Sequence, residues 1–296
     1  MKLRADAPAK INRELRVGPV RPDGFHEVRS RVVAIDLADS IEVETGGGGL
    51  TLSCAGLPVP GDESNLVVRA AKALAERLNR RVADAAIRLE KRIPVGAGLG
   101  GGSSDAARAL ALLSRLWESP LPAEDLSALA ASLGSDVPFF LVGGEAEVSG
   151  RGERVTPLPD SPVADLLVFV PPFSISTADV YARHRRVAGP AEKGRIPPLE
   201  IDSSGKYFGP NDLALAVLEI KAEMSVLLES ARSLAAESTI TGSGSAIVLW
   251  GASPDAGERL SAGFPEARIL RCRTLAREEY RLRTESSGGA QWRLPR

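Results

Sequence analysis

Ile93-Pro94-Val95-Gly96-Ala97-Gly98-Leu99-Gly100-Gly101-Gly102-Ser103-Ser104-Asp105-Ala106-Ala107 joins a loop almost free of side chains directly to the start of an amphipathic helix. Glycines let successive backbone N–H groups converge on an anion without Cβ clashes, and the unpaired N–H groups and positive dipole end of a helix add to the attraction. Such a junction is a phosphate cradle. The helix is carried by Ala106, Leu110, Leu113 and Trp117, which share one face at a 3.6-residue repeat until Pro120 stops it; Ser103 or Ser104 is placed to cap it. Five glycines within the seven residues from Gly96 to Gly102, followed by two hydroxyls and a helix, set the segment apart from an ordinary surface turn.

Two familiar phosphate loops do not fit. A nucleotide P-loop needs a lysine directly after its glycines, and none follows here. The run Gly96-x-Gly98-x-x-Gly101 matches the dinucleotide fingerprint, but that fingerprint needs a second strand ending in an acidic residue. The next segment is instead another helix, opened by Pro122, with Leu126, Leu129, Ala130 and Leu133 on one face and Gly134 as its stop.

Elsewhere the first part of the chain reads as strands, Val28 to Leu37 and Ser40 to Glu44, with Gly46 to Gly49 as a hairpin turn before Leu50-Thr51-Leu52. Asn65 opens a helix with Leu66, Ala70, Ala73, Leu74 and Leu78 on one face, and Ala85 to Leu89 returns as strand into the glycine loop. Beyond Gly144, Leu166 to Val170 is an apolar strand ended by Pro171-Pro172, Ala178 to Arg186 a short helix, and Leu213 to Leu234 mostly helical. The Pro-, Gly- and Ser-rich stretch Gly189 to Gly209 reads as a long mobile loop, and Arg283 to Arg296 as a frayed tail.

Composition narrows the class. At 296 residues the chain exceeds the usual single core, so two lobes are expected, with a boundary near Arg154: 1–154 and 155–282. A net charge of −1 offers no basic surplus for nucleic acid. Cys54 and Cys272 lie far apart and read as buried thiols. The N-terminus lacks the apolar core of a signal peptide and no apolar run spans a bilayer, so a cytoplasmic enzyme with no membrane partner is expected.

The loop pattern P-x-G-x-G-L-G-G-G-S-S resembles the second motif of the galactokinase, homoserine kinase, mevalonate kinase and phosphomevalonate kinase superfamily. Its first and third motifs are resembled, in order, by Ala7-Pro8-Ala9-Lys10-Ile11-Asn12 and by Thr241-Gly242-Ser243-Gly244-Ser245-Ala246 with the apolar strand Ile247 to Trp250. The resemblance narrows to the 4-diphosphocytidyl-2-C-methyl-D-erythritol kinase family through Pro8 to Asn12, Arg21-Pro22-Asp23-Gly24-Phe25-His26, Ile35-Asp36-Leu37 with Asp39, Asn65-Leu66-Val67, Gly98 to Ala107 and Leu133-Gly134-Ser135-Asp136-Val137-Pro138-Phe139-Phe140. The second half resembles the family through Gly242-Ser243-Gly244 and, more loosely, Asn211-Asp212-Leu213.

That resemblance implies an α+β fold: a two-lobed small-molecule kinase with an N-terminal lobe like the second domain of ribosomal protein S5, a ferredoxin-like α+β C-terminal lobe, and the active site in the cleft between them. It implies ATP-dependent phosphorylation of the 2-hydroxyl of 4-(cytidine 5'-diphospho)-2-C-methyl-D-erythritol in the non-mevalonate route to isoprenoid precursors, by a monomer or homodimer. A homoserine or mevalonate-type kinase, or a non-catalytic ligand-binding relative, are the alternatives.

Phosphoryl transfer needs a cradle for phosphates, a cation for developing charge and a group that holds or deprotonates the hydroxyl. The resemblance assigns the cradle and ATP contacts to Asn65, Pro94, Gly96, Gly98, Leu99, Gly100, Gly101, Gly102, Ser103 and Ser104, with Ser104 also offered to a magnesium ion. On its own residues Asp136 is either a carboxylate base or the N-cap of the segment to Phe140; the resemblance aligns it with the catalytic aspartate, and Lys10 with its cationic partner. The resemblance implies substrate contacts at Asn12, Phe25, His26, Gly242, Ser243 and Gly244, with the base stacked on Phe25 and hydrogen-bonded by His26; Tyr181 is the aromatic of the second half expected to close over it. His184, amid Arg183, Arg185 and Arg186, reads as surface. Arg13-Glu14, Phe25 and Ser245 depart from the family pattern.

Overall fold

The computed structural model describes residues 1–46, 48–80, 84–187, 196 and 208–285. Most of the stretch read as a mobile loop, and the tail beyond Glu285, lie outside the described residues; Arg283 and Thr284, assigned to that tail, close a helix.

Two long strands, β1 (Lys2–Val20) and β2 (His26–Glu44), pair antiparallel along their lengths and form the spine of the first sheet. Polar residues at the tip, Arg21 to Gly24, make the turn, and Arg21 accepts Gly24 N–H at 3.0 Å. The remaining strands of this sheet are β3 (Leu50–Gly56), β4 (Ala85–Lys91), β5 (Glu145–Gly150) and β6 (Arg154–Pro157). They follow the order β3-β4-β2-β5-β6, with β1 alongside β2. Because β3 pairs parallel with β4 and not with β2, Gly46 to Gly49 is no hairpin turn: the chain steps across β4 there. The parallel β3 and β4 are joined by a crossover of their own, which carries the helix Leu66–Arg77.

Helices α1 (Leu66–Arg77), α2 (Gly101–Leu116), α3 (Ala123–Leu133) and the single turn α4 (Phe139–Val142) cover this sheet, and their apolar faces join Leu3, Ile41, Val43, Ile87 and Leu89 in one core. The expected face of α2, Ala106, Leu110, Leu113 and Trp117, is buried.

The second sheet is antiparallel, ordered β10-β7-β9-β8, from β7 (Asp165–Val170), β8 (Glu237–Ile240), β9 (Ile247–Trp250) and β10 (Arg268–Arg273). Helices α5 (Thr177–Val187), α6 (Ala214–Ile220), α7 (Glu223–Leu234) and α8 (Ala256–Gly263) belong to this half, and α9 (Arg277–Thr284) returns to the first core through Tyr280. β6 is a member of the first sheet, so the chain passes from one sheet to the other between Pro157 and Asp165, a few residues beyond Arg154.

β7 and β9 read as unbroken apolar runs because both faces are buried. Leu167, Phe169, Ile247 and Leu249 face the helices of their own half. Leu166, Val168, Val170, Val248 and Trp250 face Ala9, Ile11, Val33, Ile35, Ile93, Ala97 and Leu99. This shared core joins the two sheets and holds β1 and the glycine loop against the second half. Cys272 is buried in it, whereas Cys54, also expected inside, is exposed on β3. Among the described residues no helix is long and apolar enough to cross a membrane.

Candidate active site

β1 turns alternate residues to opposite faces. Ala9 and Ile11 enter the shared core, so Lys10 and Asn12 point together into the space beside the glycine loop. Lys10 Nζ donates to Asn12 Oδ1 at 2.7 Å and lies 3.5 Å from Asp136 Oδ2. Asn12 is itself held, its Nδ2 donating to Ser30 Oγ at 2.8 Å and its backbone N–H to Thr241 Oγ1 at 2.9 Å. Lys10 is buried and Asp136 half exposed, on the turn between α3 and α4 that Val137 N–H closes onto Gly134 O. Asp136 therefore precedes α4 without capping it: the N-cap is Pro138 and carries no side-chain hydrogen bond.

The glycine loop runs from the end of β4 into α2. Gly100, left-handed at φ 71°, is the N-cap, and no side chain caps the helix, so neither Ser103 nor Ser104 has that role. Ser104 N–H is the first to bond along the helix, to Gly100 O at 2.9 Å. The N–H groups of Gly101, Gly102 and Ser103 are thus left out of the helical ladder at its positive end, as an anion site requires. Close approach dictates the glycines. A Cβ on Gly98, at φ +79°, would stand 2.4 Å from Thr241 O, and one on Gly100 would stand 2.8 Å from Phe140 Cζ. Lys10 N–H donates to Leu99 O at 3.0 Å and Ala246 N–H to Ala97 O at 3.1 Å, so the three glycine- and lysine-bearing stretches meet at one place.

Ser104 does not face the cleft. Its hydroxyl is buried and donates to Pro8 O at 2.7 Å, which fastens α2 to β1, and Ser104 is absent from the wall of the cleft. Among the described residues no group of three or more His, Cys, Asp or Glu could hold a metal ion.

A cleft of about 840 Å³ is lined by Lys10, Asn12, Asn65, Pro94, Gly96, Gly98 to Ser103 and Asp136, and by Phe25, His26, Tyr181, Gly242 and Ser243. Of the expected residues only Ser104 and Gly244 are missing from its wall; Gly244 N–H bonds back to Thr241 O and the residue packs behind Gly98. Asn65 accepts from Val67 N–H at 2.9 Å and so caps α1 as well as reaching the cleft. At the other end His26 and Tyr181 stand with ring centroids 5.6 Å apart, and the Arg151 guanidinium lies 5.2 Å from the centre of the exposed Phe25 ring. Burial, with Asp136 adding, raises the Tyr181 phenol above its ordinary value. His184 is no surface residue: it is buried with its ring against His26.

A cluster under the loop escaped the sequence reading. Lys91 Nζ bonds Asp39 and lies 2.8 Å from Asp105 Oδ2, while Asp39 Oδ1 accepts the N–H groups of Arg92 and Ile93. Burial pushes Asp105 up to about 8, with Lys91 opposing and Asp39 adding to the rise. Asp39 and Asp105 both stood inside quoted motifs, but nothing in the sequence joins them to Lys91. The cleft as a whole offers backbone donors for phosphate, a carboxylate beside an ammonium, and a ring-lined pocket for a planar base.

Residues 65–144, which hold the loop and Asp136, match the GHMP kinases N terminal domain. The chain is 38% identical over 260 residues to the 4-diphosphocytidyl-2-C-methyl-D-erythritol kinase of Thiobacillus denitrificans, covering 88% of this chain and 90% of that one. The chain belongs to the 4-diphosphocytidyl-2-C-methyl-D-erythritol kinase family. The Bacillus velezensis member is 38% identical over 250 residues, 82% of this chain and 86% of its own. A crystal structure of a 4-(cytidine 5'-diphospho)-2C-methyl-D-erythritol kinase superposes with a TM-score of 0.77 at 34% identity, covering 92% of this chain and 98% of that one. Homoserine kinase from Cytophaga hutchinsonii, at 17% identity and a TM-score of 0.67 over 94% and 96% of the two chains, shares the fold.

Proposed function

We propose that the chain transfers the γ-phosphoryl group of ATP to the 2-hydroxyl of 4-(cytidine 5'-diphospho)-2-C-methyl-D-erythritol, giving the 2-phosphate and ADP. The observation that carries this reading is the position of the Lys10 and Asp136 pair, which opens into one cleft with the glycine loop on one side and the His26 and Tyr181 rings on the other. Family membership supplies the substrate and ATP as its partner.

In this mechanism the N–H groups at the start of α2 hold the phosphates. Asp136 accepts the hydroxyl proton as the alcohol oxygen attacks the γ-phosphorus; the bond from that phosphorus to the bridging oxygen breaks, and ADP leaves. Lys10, kept in place by Asn12, faces the charge that gathers on the transferred group. The base lies between Phe25 and Tyr181 with its polar edge toward His26. Magnesium would travel on the nucleotide phosphates, since this ion keeps several waters and takes few protein ligands, and the described residues build no ligand cluster of their own.

The test is ADP release by the purified chain with ATP and magnesium, offered the cytidine compound, mevalonate, phosphomevalonate and homoserine in parallel. Turnover is expected on the cytidine compound alone, with Asp136→Asn lowering kcat by about 10²–10⁴. Turnover on another alcohol would overturn the substrate; an undiminished Asp136→Asn variant would overturn the mechanism.

A further inference from the structure

The wall of the cleft carries four cationic side chains, Lys10, Lys91, Arg151 and Arg185. Two of them have carboxylates at hand: Lys10 lies 3.5 Å from Asp136, and Lys91 is shared by Asp39 and Asp105. Arg185 is exposed on α5. Arg151 differs from all three. It sits half-buried on the turn between β5 and β6, and among the described residues no carboxylate pairs with its guanidinium. Glu153, on the same turn, instead accepts the Arg151 backbone N–H at 2.7 Å and stands 3.8 Å from Arg154 Nε.

The guanidinium is nevertheless fixed. Its Nη2 donates to Ala131 O of α3 at 3.2 Å, and its carbon lies 5.2 Å from the centre of the Phe25 ring, in cation–π contact. The turn is wedged against the residue before Asp136, since a Cβ on Gly152 would stand 3.3 Å from Ser135 Cβ. Arg151 therefore spans the interval between a ring at the base end of the cleft and the carboxylate at its alcohol end. Ala131 takes one of its N–H donors, and the others are left for a ligand. A planar fork of this kind matches the paired oxygens of a phosphate.

A nucleoside joined to an alcohol through a diphosphate carries its charge between those same two ends. The N–H groups at the start of α2 serve the phosphates of ATP, the ring pocket serves the base, and the Lys10 and Asp136 pair serves the hydroxyl, so the linking diphosphate has no partner in the site described so far. We propose that Arg151 grips this diphosphate, and so makes the chain read a nucleoside diphosphate and not a bare nucleoside or a free polyol. This rests on the nucleotide-alcohol substrate proposed above and adds the residue that holds its linker. The linker is remote from the bond being made, and its charge does not change as the phosphoryl group moves. The contact is equally strong before and during transfer, so it lowers KM and leaves kcat alone.

The experiment uses the full chain with the glycine loop filled by a non-hydrolysable ATP analogue and magnesium. Calorimetry compares the binding of cytidine 5'-diphosphate with that of cytidine, and steady-state kinetics with ATP give kcat and KM for the cytidine substrate. Wild type is expected to bind the diphosphate about 10–100-fold more tightly than cytidine. Arg151→Ala should lose that advantage, keep the wild-type affinity for cytidine, and raise KM by a similar factor with kcat within about twofold. Arg151→Lys, which keeps the charge but not the fork, should recover part of the loss. Arg154→Ala removes a nearby charge that does not line the cleft and should bind like wild type. An undiminished diphosphate advantage in Arg151→Ala would overturn the proposal. An equal loss in Arg154→Ala would do so by making the effect one of general charge, and a parallel loss of cytidine affinity in Arg151→Ala by making Arg151 a support for Phe25 alone. A wild type that prefers the diphosphate through Arg151 yet turns over no cytidine substrate would sink the substrate reading and keep the grip; one that binds neither ligand would overturn both.

Discussion

The phosphate end of the cleft presents backbone from one continuous stretch, Gly96 to Ser103, whereas the base end presents side chains from β2 and α5, which belong to different halves of the molecule. The first is written locally. Glycines, a helix start and an amphipathic repeat occupy adjacent positions, and their shape follows from sterics. The second exists only when α5 is brought against the tip of the long β1 and β2 ribbon, because its rings come from segments with no sequence relation. A backbone-built site should therefore fail through shape, and a side-chain-built site through affinity.

Gly98→Ala probes that contrast most severely. The added Cβ would meet Thr241 O at 2.4 Å in a backbone conformation that L-residues avoid, so both stability and turnover are expected to collapse, turnover by at least about 100-fold. Gly102→Ala is the sharpening control. Its Cβ would find only Leu66 Cδ1 at 3.7 Å, so thermal melting should stay near wild type while KM for ATP rises. Equal melting temperatures for the two variants would remove the distinction between glycines needed by the fold and glycines needed by the phosphate.

Tyr181→Ala should act at the other end alone. Loss of one stacking face is expected to raise KM for the cytidine substrate about tenfold and leave KM for ATP unchanged, as steady-state kinetics with each substrate varied will show. A matching rise for ATP would mean that the ends are not separable.

The smallest effect belongs to the Lys91, Asp39 and Asp105 cluster. Asp105 is raised to about 8 chiefly by burial, so between its unfolded pKa of about 4 and that value the folded chain holds the extra proton. Its contribution to stability is full below about pH 4 and is lost as the pH rises through about 8. Asparagine does not titrate. Asp105→Asn should therefore gain on wild type by about 2–4 °C in Tm for each kcal/mol of relieved penalty as the pH is taken from 6 to 9. A difference that stays flat with pH in calorimetric melts would show that Asp105 is ionised throughout.

Legibility follows the same division. The helices with strong periodicity, α1, α2 and α3, were plain from apolar spacing and from Asn65, Pro122 and Gly134 at their ends. β1 was not: Ala5 to Ala9 has little strand character, and only pairing with β2 along nearly its whole length makes it extended. Gly46 to Gly49 looked like a hairpin because adjacent strands usually pair, and β4, inserted later in the chain, took the position next to β2. Ser104 looked like a ligand because of its place beside Ser103, yet helical rotation turned it toward Pro8 and the interior. His184 looked like surface among arginines until α5 packed against β2.

By itself the sequence determined the phosphate loop, its helix, and the identity of Lys10, Asp136, His26 and Tyr181 as the residues to watch. The loop and its helix are features that short-range sterics express without help, whereas the four side chains were singled out through the resemblance of their motifs to the family. Only the tertiary structure decided that Lys10 stands 3.5 Å from Asp136, that Asp105 shares one lysine with Asp39, and that His184 closes on His26. The first two depend on α2 and α3 packing over the first sheet and the third on the second half closing against the β1 and β2 ribbon, contacts between distant segments that no local pattern encodes.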